Sequence, residues 1–322
     1  MELSVVVAGR PERPAEEDLH TASLADRFGY RELWVGEGFV WDAFSLATAI
    51  GLATDQIAMT VGPIPVTVRD PTTIARATGS LATLVRRPVG VALGTSSVRV
   101  VERMHGRSRR RAVTALGESA RAVRTMLDGE RADLDGEILS AHYALRLAAP
   151  SAPPGGTMTI AAFGDRAIAV AAEHADRMVL DLVSPELAAE FRTKLDAAAR
   201  RAGRPAPRLA AWIPAAVDPD PDSYAQIMWS LVGYLEVAGY GEMFTAAGFG
   251  KAVELAAAGA DAKELLTALP LEAASKVGLA GPAETVRARI ADYAAAGLDE
   301  IAIVPATAGD PGGERTLKAL AP

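Results

Sequence analysis

The stretch VGPIPVTVRDP, from Val61 to Pro71, begins as an apolar strand and ends as the start of a helix. Each proline withholds an N–H from a sheet ladder, so Gly62 to Pro65 reads as a strand end or bulge where the backbone leaves regular pairing. X-Pro links adopt the cis form at a cost of only about 0.5–1 kcal/mol, which makes Gly62–Pro63 the candidate bond. Asp70 then suits a helix N-cap and Pro71 the first turn. Irregular backbone at the end of a parallel strand is where α/β folds build ligand sites.

Outward from this point, strand and helix patterns alternate with short connections. Leu3–Ala8 and Glu32–Gly36 read as strands. The helices between them and the third strand cover Glu16–Phe28, closed by Gly29, and Ala43–Ala53, capped by Asp42. Ile57–Val66 is the third strand, its helix running to about Arg86. Val89–Leu93 is the fourth, ending in Gly94-Thr95-Ser96-Ser97. A helix is expected over about 109–127, then a small hairpin in DGERADLDGEIL. Downstream, Met158–Ala162, Arg177–Leu182, Leu209–Val217 and Glu300–Val304 read as strands. Helices are expected over Arg166–His174, Pro185–Ala202 and Pro282–Ala296, and a helical insertion at about 222–276.

About eight βα units in 322 residues, with no linker rich in Ser, Gly or Pro, predict one (β/α)8 barrel spanning 1–322. A doubly wound open sheet is the competitor. Its G-x-G-x-x-G fingerprint after the first strand is missing, since Gly9-Arg10-Pro11 does not supply it.

Half the residues are hydrophobic, as expected when parallel strands are covered on both faces. No apolar run reaches the roughly 18–20 residues of a membrane span, and MELSVVVAG moves straight into a strand instead of forming a signal peptide. The chain has no cysteine, which excludes disulfides, thiolate catalysis and Cys-zinc sites. A cytoplasmic protein that does not engage membranes is expected. The net charge of −7 argues against broad nucleic-acid binding. Within this acidic chain Arg103, Arg107, Arg109, Arg110 and Arg111 form a basic cluster, read either as a solvated helix start or as an anion clamp.

Barrel sites form at the C-terminal strand ends. Here those are Gly9-Arg10, Glu37, Gly62 to Pro65, Gly94-Thr95-Ser96, Ala162-Phe163-Gly164, Asp181, Ile213-Pro214 and Pro305. This rim is poor in titratable groups. The four histidines, His20, His105, His142 and His174, lack metal-ligand spacing, so no metal is expected. A rim with few acids and bases suits an enzyme whose cofactor brings the reactive atom. Gly62, Pro63, Ile64 and Pro65 suit the floor under a flat ring. Gly94, Thr95 and Ser96 offer amides and hydroxyls, and Phe163-Gly164-Asp165 opens a helix whose free N–H groups suit a phosphate.

Taken together these residues resemble the luciferase-like flavin and deazaflavin oxidoreductases over essentially the whole chain. The matching pieces are LWVGEGFVWDAFSLATAIGLAT, VGPIPVTVRDPTTIARATGSL, VALGTSSVRVVERMHGRSRRRAV, IAAFGDRAIAVAAEHADRMVLDLV and VGLAGPAETVRARIADYAAAGLDEIAIVPA. GPIPVTVRDP and MHGRSR look most like the branch that uses coenzyme F420, a deazaflavin. The resemblance implies a homo-oligomeric (β/α)8 barrel, dimer or higher, whose kinked third strand supports the cofactor's central ring. Relatives carry a non-prolyl cis peptide at that kink, where this chain has Gly62–Pro63. The same resemblance places Gly94, Thr95 and Ser96 near the ring and side chain, and Ala162, Phe163, Gly164 and Asp165 near the phosphate. It gives His105 and Arg107 a role at the phosphodiester and oligoglutamate tail.

Glu37 is the catalytic candidate: a rim glutamate acts as general acid or base if burial raises its pKa, and otherwise forms a salt bridge in the barrel mouth. Trp41 is expected to line the pocket, and Tyr240 and Phe244 to belong to a substrate lid or an interface. The leading expectation is an F420-dependent oxidoreductase moving a hydride to or from a small-molecule or peptide-type substrate, most simply reducing a C=C or C=N bond. An FMN-dependent monooxygenase is the alternative. The third reading is a non-catalytic barrel that binds the cofactor or supports a partner.

Overall fold

In the computed structural model, residues 1–8, 13–146, 156–235, 237 and 240–322 are described. The strands of the first half are β1 (Glu2–Val7), β2 (Glu32–Val35), β3 (Ala58–Pro65) and β4 (Val89–Gly94), followed by the hairpin β5 (Arg131–Asp135) and β6 (Ser140–Ala144). The second half adds β7 (Met158–Ala161), β8 (Arg177–Asp181), β9 (Arg208–Val217), β10 (Leu279–Gly281) and β11 (Glu300–Pro305). β1, β2, β3, β4, β7, β8, β9 and β11 pair in parallel in that order, and β11 returns to β1. The expected (β/α)8 barrel is the observed fold. β10, which the sequence pattern did not reveal, is three residues long and pairs beside the far end of β9.

Helices α1 (Ala15–Arg27), α2 (Ala43–Ala53), α3 (Pro71–Val85) and α4 (Ala112–Leu127) follow the first four strands. α5 (Asp165–His174) follows β7 and α6 (Pro185–Ala202) follows β8. Local chemistry fixes their starts. Asp42 accepts from Ser45 N, Asp70 accepts from Thr73 N with Pro71 behind it, and Ser184 caps α6 ahead of Pro185. After β9 come α7 (Pro221–Val232), α8 (Gly241–Phe244), α9 (Gly250–Ala257), α10 (Ala262–Ala268) and α11 (Ala273–Val277). α12 (Ala283–Ala295) and α13 (Glu314–Ala319) complete the chain.

Side chains on alternate strand positions fill the barrel in layers. At the N-terminal end lie Ser4, Glu32, Thr60, Thr159, Arg177 and Glu300. Arg177 is 1 % exposed and uses all five of its N–H donors. It reaches Glu32 at 2.7 and 2.8 Å, Glu300 at 2.6 Å, Thr60 at 3.0 Å and Thr159 at 3.1 Å. Its guanidinium also lies 4.1 Å from the Trp34 ring centre. Burial raises the Glu32 carboxyl, but the hydrogen bonds and charge of Arg177, with Thr60 and Arg208, outweigh it and hold that pKa below the ordinary value. Above this polar layer sit Val6, Trp34, Ala92, Val179, Ala210 and Ala302, mostly small because Trp34 takes the central volume. Only above Trp34 does the barrel open.

The helices α7 to α11 build a second apolar cluster on one side of that opening. A ladder of rings ties it to β7. Phe163 meets Phe191 at 4.7 Å and stacks on Tyr240 at 4.8 Å, and Tyr240, Phe244 and Phe249 continue the stack. No helix among the described residues is long and apolar enough to cross a membrane.

Candidate active site

The Gly-Pro-Ile-Pro bend is a register shift: β3 pairs with β4 through Val61, slips, and resumes at Ile64. The Gly62–Pro63 bond is cis. Gly62 has φ +118°, and a Cβ there would stand 2.4 Å from Ala92 O and 2.6 Å from Ile64 N. Only glycine fits that backbone. The shift turns Pro63 into the barrel mouth and Ile64 outward into the core between barrel and helices, where Ile64 is fully buried.

Pro63 forms part of the wall of a cavity of about 710 Å³. Gly94, Thr95 and Ser96 continue it from β4, and Ala162, Phe163, Gly164 and Asp165 close it from β7 and α5. A Cβ on Gly94 would meet Pro63 Cβ at 3.2 Å, so the floor beside Pro63 depends on that glycine. At the far end α5 begins with Gly164, which has no side chain to cap it. Its first N–H groups, on Asp165 and Arg166, have no side-chain cap, and both residues line the cavity.

Arg109 also stands in this wall. Its Nε donates to Ser96 O at 2.7 Å and its Nη2 to Thr95 Oγ1 at 3.2 Å, holding the loop in which Ser96 has φ +54°. The fourth helix starts at Ala112 and not at Arg109 because its N-cap, Arg111, stands in the left-handed region at φ +60°. His105 and Arg107, the tail-binding candidates, do not line the cavity. A π-helical turn, Arg99–Met104, swings both to the exposed outer rim.

A second cavity of about 510 Å³ opens beside the first, and the two share Asp181 and Trp212. Glu37 lines this second space. Its Oε1 accepts from Arg69 at 2.9 Å and its Oε2 from Ala43 N at 3.1 Å, so the carboxylate joins strand end to helix start. Of the two readings of Glu37, the salt bridge is the one the geometry displays. Trp41 belongs to neither wall and is 37 % exposed. Tyr240 does line the larger cavity, but Phe244 lies one ring behind it, wholly inside the helical cover. Gly9 and Arg10 fall outside the described residues.

Asp181 was legible only as a rim position. Period-two alternation in Arg177, Val179 and Asp181 points it into the barrel above the Val179 layer. Tyr234 Oη donates to its Oδ2 at 2.5 Å, and Tyr240 Oη donates to its backbone carbonyl at 2.6 Å. Burial lifts its carboxyl to about 6 against the opposing bond from Tyr234. Trp212, on the neighbouring strand, packs edge-on to Trp34 at 5.7 Å and closes the floor of both cavities.

The sequence that builds this barrel and mouth matches a known family. The model of luciferase-like monooxygenases covers residues 1–300. The chain belongs to that family. No curated protein sequence matches it. Among solved structures it is similar to the coenzyme F420-dependent tetrahydromethanopterin reductase of Methanopyrus kandleri, with TM-score 0.84 and 16 % identity over 100 % of this chain and 98 % of that one. It is similar to an F420-dependent secondary alcohol dehydrogenase, with TM-score 0.79 and 17 % identity over 98 % and 97 % of the two chains. The oxygenating constituent of 3,6-diketocamphane monooxygenase from Pseudomonas putida, in complex with FMN, superimposes with TM-score 0.72 and 18 % identity over 100 % and 96 %. At these identities the likeness establishes the fold. As a family member the chain is an oxidoreductase or monooxygenase by class, and both flavin-type cofactors occur among its structural neighbours.

Proposed function

We infer that this protein is a coenzyme F420-dependent oxidoreductase that moves a hydride between the deazaflavin and a small organic or peptide-type substrate, reducing a C=C or C=N bond. The observation that carries the reading is the larger cavity. It has a side-chain-poor floor at Pro63 and Gly94, hydroxyls at Thr95 and Ser96, and an uncapped helix start at its far end. A planar ring fits the first, a polyol chain the second and a phosphate the third.

Bound there, a deazaflavin supplies a hydride carrier that reacts poorly with oxygen. The protein's own residues do the rest. Pro63 and Gly94 support the ring plane, and Arg109 keeps Thr95 and Ser96 in place. The Asp165 and Arg166 amides take the phosphate. Phe163 and Tyr240 close one flank against water. The smaller cavity across Asp181 and Trp212 is left for the substrate.

Arg103, Arg107 and Arg110 are exposed on the chain between Ser96, in the cavity wall, and the start of α4, and a polyanionic tail running over them would favour F420 over FMN. FMN ends in one phosphate and would need none of them. The cavity floor itself would serve either ring, and FMN is therefore the second reading, supported by the diketocamphane monooxygenase fold.

Titration calorimetry with oxidised F420 and with FMN tests the choice. F420 is expected to bind more tightly. Replacing the three arginines with alanine should weaken F420 about tenfold, from three screened charge pairs of about 0.5 kcal/mol each, and leave FMN unchanged. Tighter binding of FMN, or equal loss for both cofactors, would overturn the F420 assignment.

A further inference from the structure

We propose that Asp181 delivers the proton that accompanies hydride transfer, with Tyr234 setting the direction of its carboxyl and Tyr240 fixing its backbone. This rests on the oxidoreductase reading above. Three placements carry it. Among the described residues, Asp181 is the acidic residue common to the walls of both cavities, so it stands between the ring floor and the substrate space. Its carboxyl is held by a neutral hydroxyl and by no ion pair among the described residues, unlike Glu37, which Arg69 holds. Both tyrosines come from the helical cover, so the carboxyl acquires its final geometry only when the cover sits on the barrel.

The step balances as follows. A hydride adds to one atom of the substrate's C=C or C=N bond, and the π pair moves to the other atom. That atom takes the proton from the Asp181 carboxylic acid, leaving carboxylate. The reduced deazaflavin is the reductant. The acid form is therefore the competent one, and burial keeps it populated to higher pH than an ordinary aspartate would be.

Among the described residues, the other charged groups in the two walls are as follows. In the smaller cavity Glu37 is paired with Arg69 and Glu17 with Arg13, with Asp18 farther along the wall. In the larger one are Arg109, bound to Ser96, and Asp165 and Arg166, which are exposed at the helix start. Among the described residues, Tyr234 and Tyr240 are the titratable groups hydrogen-bonded to it. Burial drives the Tyr240 hydroxyl well above its ordinary pKa, so it remains a donor.

The test uses the full chain with F420, and cyclohexenone and pyrroline as C=C and C=N probes. Aspartate labelled with carbon-13 at the carboxyl, assigned by the loss of one signal in Asp181→Asn, should titrate near pH 6. Turnover by the wild type should fall as pH rises through that midpoint. Asp181→Asn should lower kcat by about 10²-fold or more, abolish that alkaline limb, and leave the F420 Kd within twofold. Tyr234→Phe removes the bond that favours the carboxylate, so its limb should move to higher pH with F420 affinity kept. A purely structural Asp181 would not move the pH profile. A midpoint in the ordinary aspartate range, or an Asp181→Asn enzyme with unchanged kcat and F420 Kd, would remove the proton role alone. Failure of the wild type to bind either F420 or FMN would remove the oxidoreductase reading and this inference with it.

Discussion

Replacing Arg177 with methionine should cost this barrel more stability than any other single polar substitution. Among the described residues Arg177 is the one cation fully enclosed at the N-terminal end of the barrel, and it faces two carboxylates, of which Glu300 is 0 % exposed. Arg208 stands 3.8 Å from Glu300, but its side chain is half exposed and water screens it. Deleting one partner of a buried pair typically costs about 3–5 kcal/mol, because the other charge is left uncompensated. Here two carboxylates lose their partner and five hydrogen bonds go, so the upper end, about 4–5 kcal/mol, is expected. That is a large share of the roughly 5–15 kcal/mol that holds a folded domain. Urea unfolding followed by far-ultraviolet circular dichroism measures it. Adding Glu300→Gln to Arg177→Met should recover part of the loss, because it removes a buried charge that has no partner. A single mutant within about 1 kcal/mol of wild type, or strictly additive losses in the double mutant, would refute the reasoning. The pH dependence has a definite sign. Glu32 has a depressed folded pKa, so its contribution is fully present above the unfolded value of about 4.3 and is lost as pH falls through the lower folded value.

Gly62→Ala should destabilise by about 2–4 kcal/mol, since a positive φ and a backbone clash add together. It should also impair cofactor binding, and a melting curve with a binding titration reads both. Glu118 accepts from the amides of Glu137, Ile138 and Leu139 at 2.6, 3.1 and 2.8 Å, pinning the β5–β6 turn. Glu118→Ala should speed amide exchange at those three residues while exchange in the barrel strands stays slow. Phe163→Ala breaks the ring ladder between barrel and cover. It should weaken F420 binding by tenfold or more, whereas Phe244→Leu, one ring farther back, should change affinity by less than threefold.

Much of this architecture was legible in the chain because its signals are local. Two prolines in one strand cannot sit in a ladder, so the break in β3 and its place at the mouth followed from VGPIPVTVRDP alone. Asp42 and Asp70 announced their helices through capping chemistry that acts within one turn. The missing pieces depend on distance or on small size. Arg177 gathers carboxylates from β2 and β11, at opposite ends of the sequence, and no spacing rule joins them. Asp181 was visible at the end of an apolar strand, but its chemistry comes from Tyr234, fifty-three residues away in the helical cover. Arg107 and Arg109 are indistinguishable as members of one basic run. The π-helical turn before them sends the first outward and lets the second reach back to Ser96. Phe244 lies four residues from Tyr240 on the same helical face, and which ring meets the cavity is decided by how that face packs on Phe163.

The claim on which the rest depends is that a planar redox ring rests against the bend in β3. A crystal structure of the protein soaked with oxidised F420 tests it most directly. The account predicts planar density against Pro63 and Gly94, with the phosphate at the amides of Asp165 and Arg166. Saturable binding in solution with the ring found elsewhere, and the space above Pro63 filled only by solvent, would contradict it.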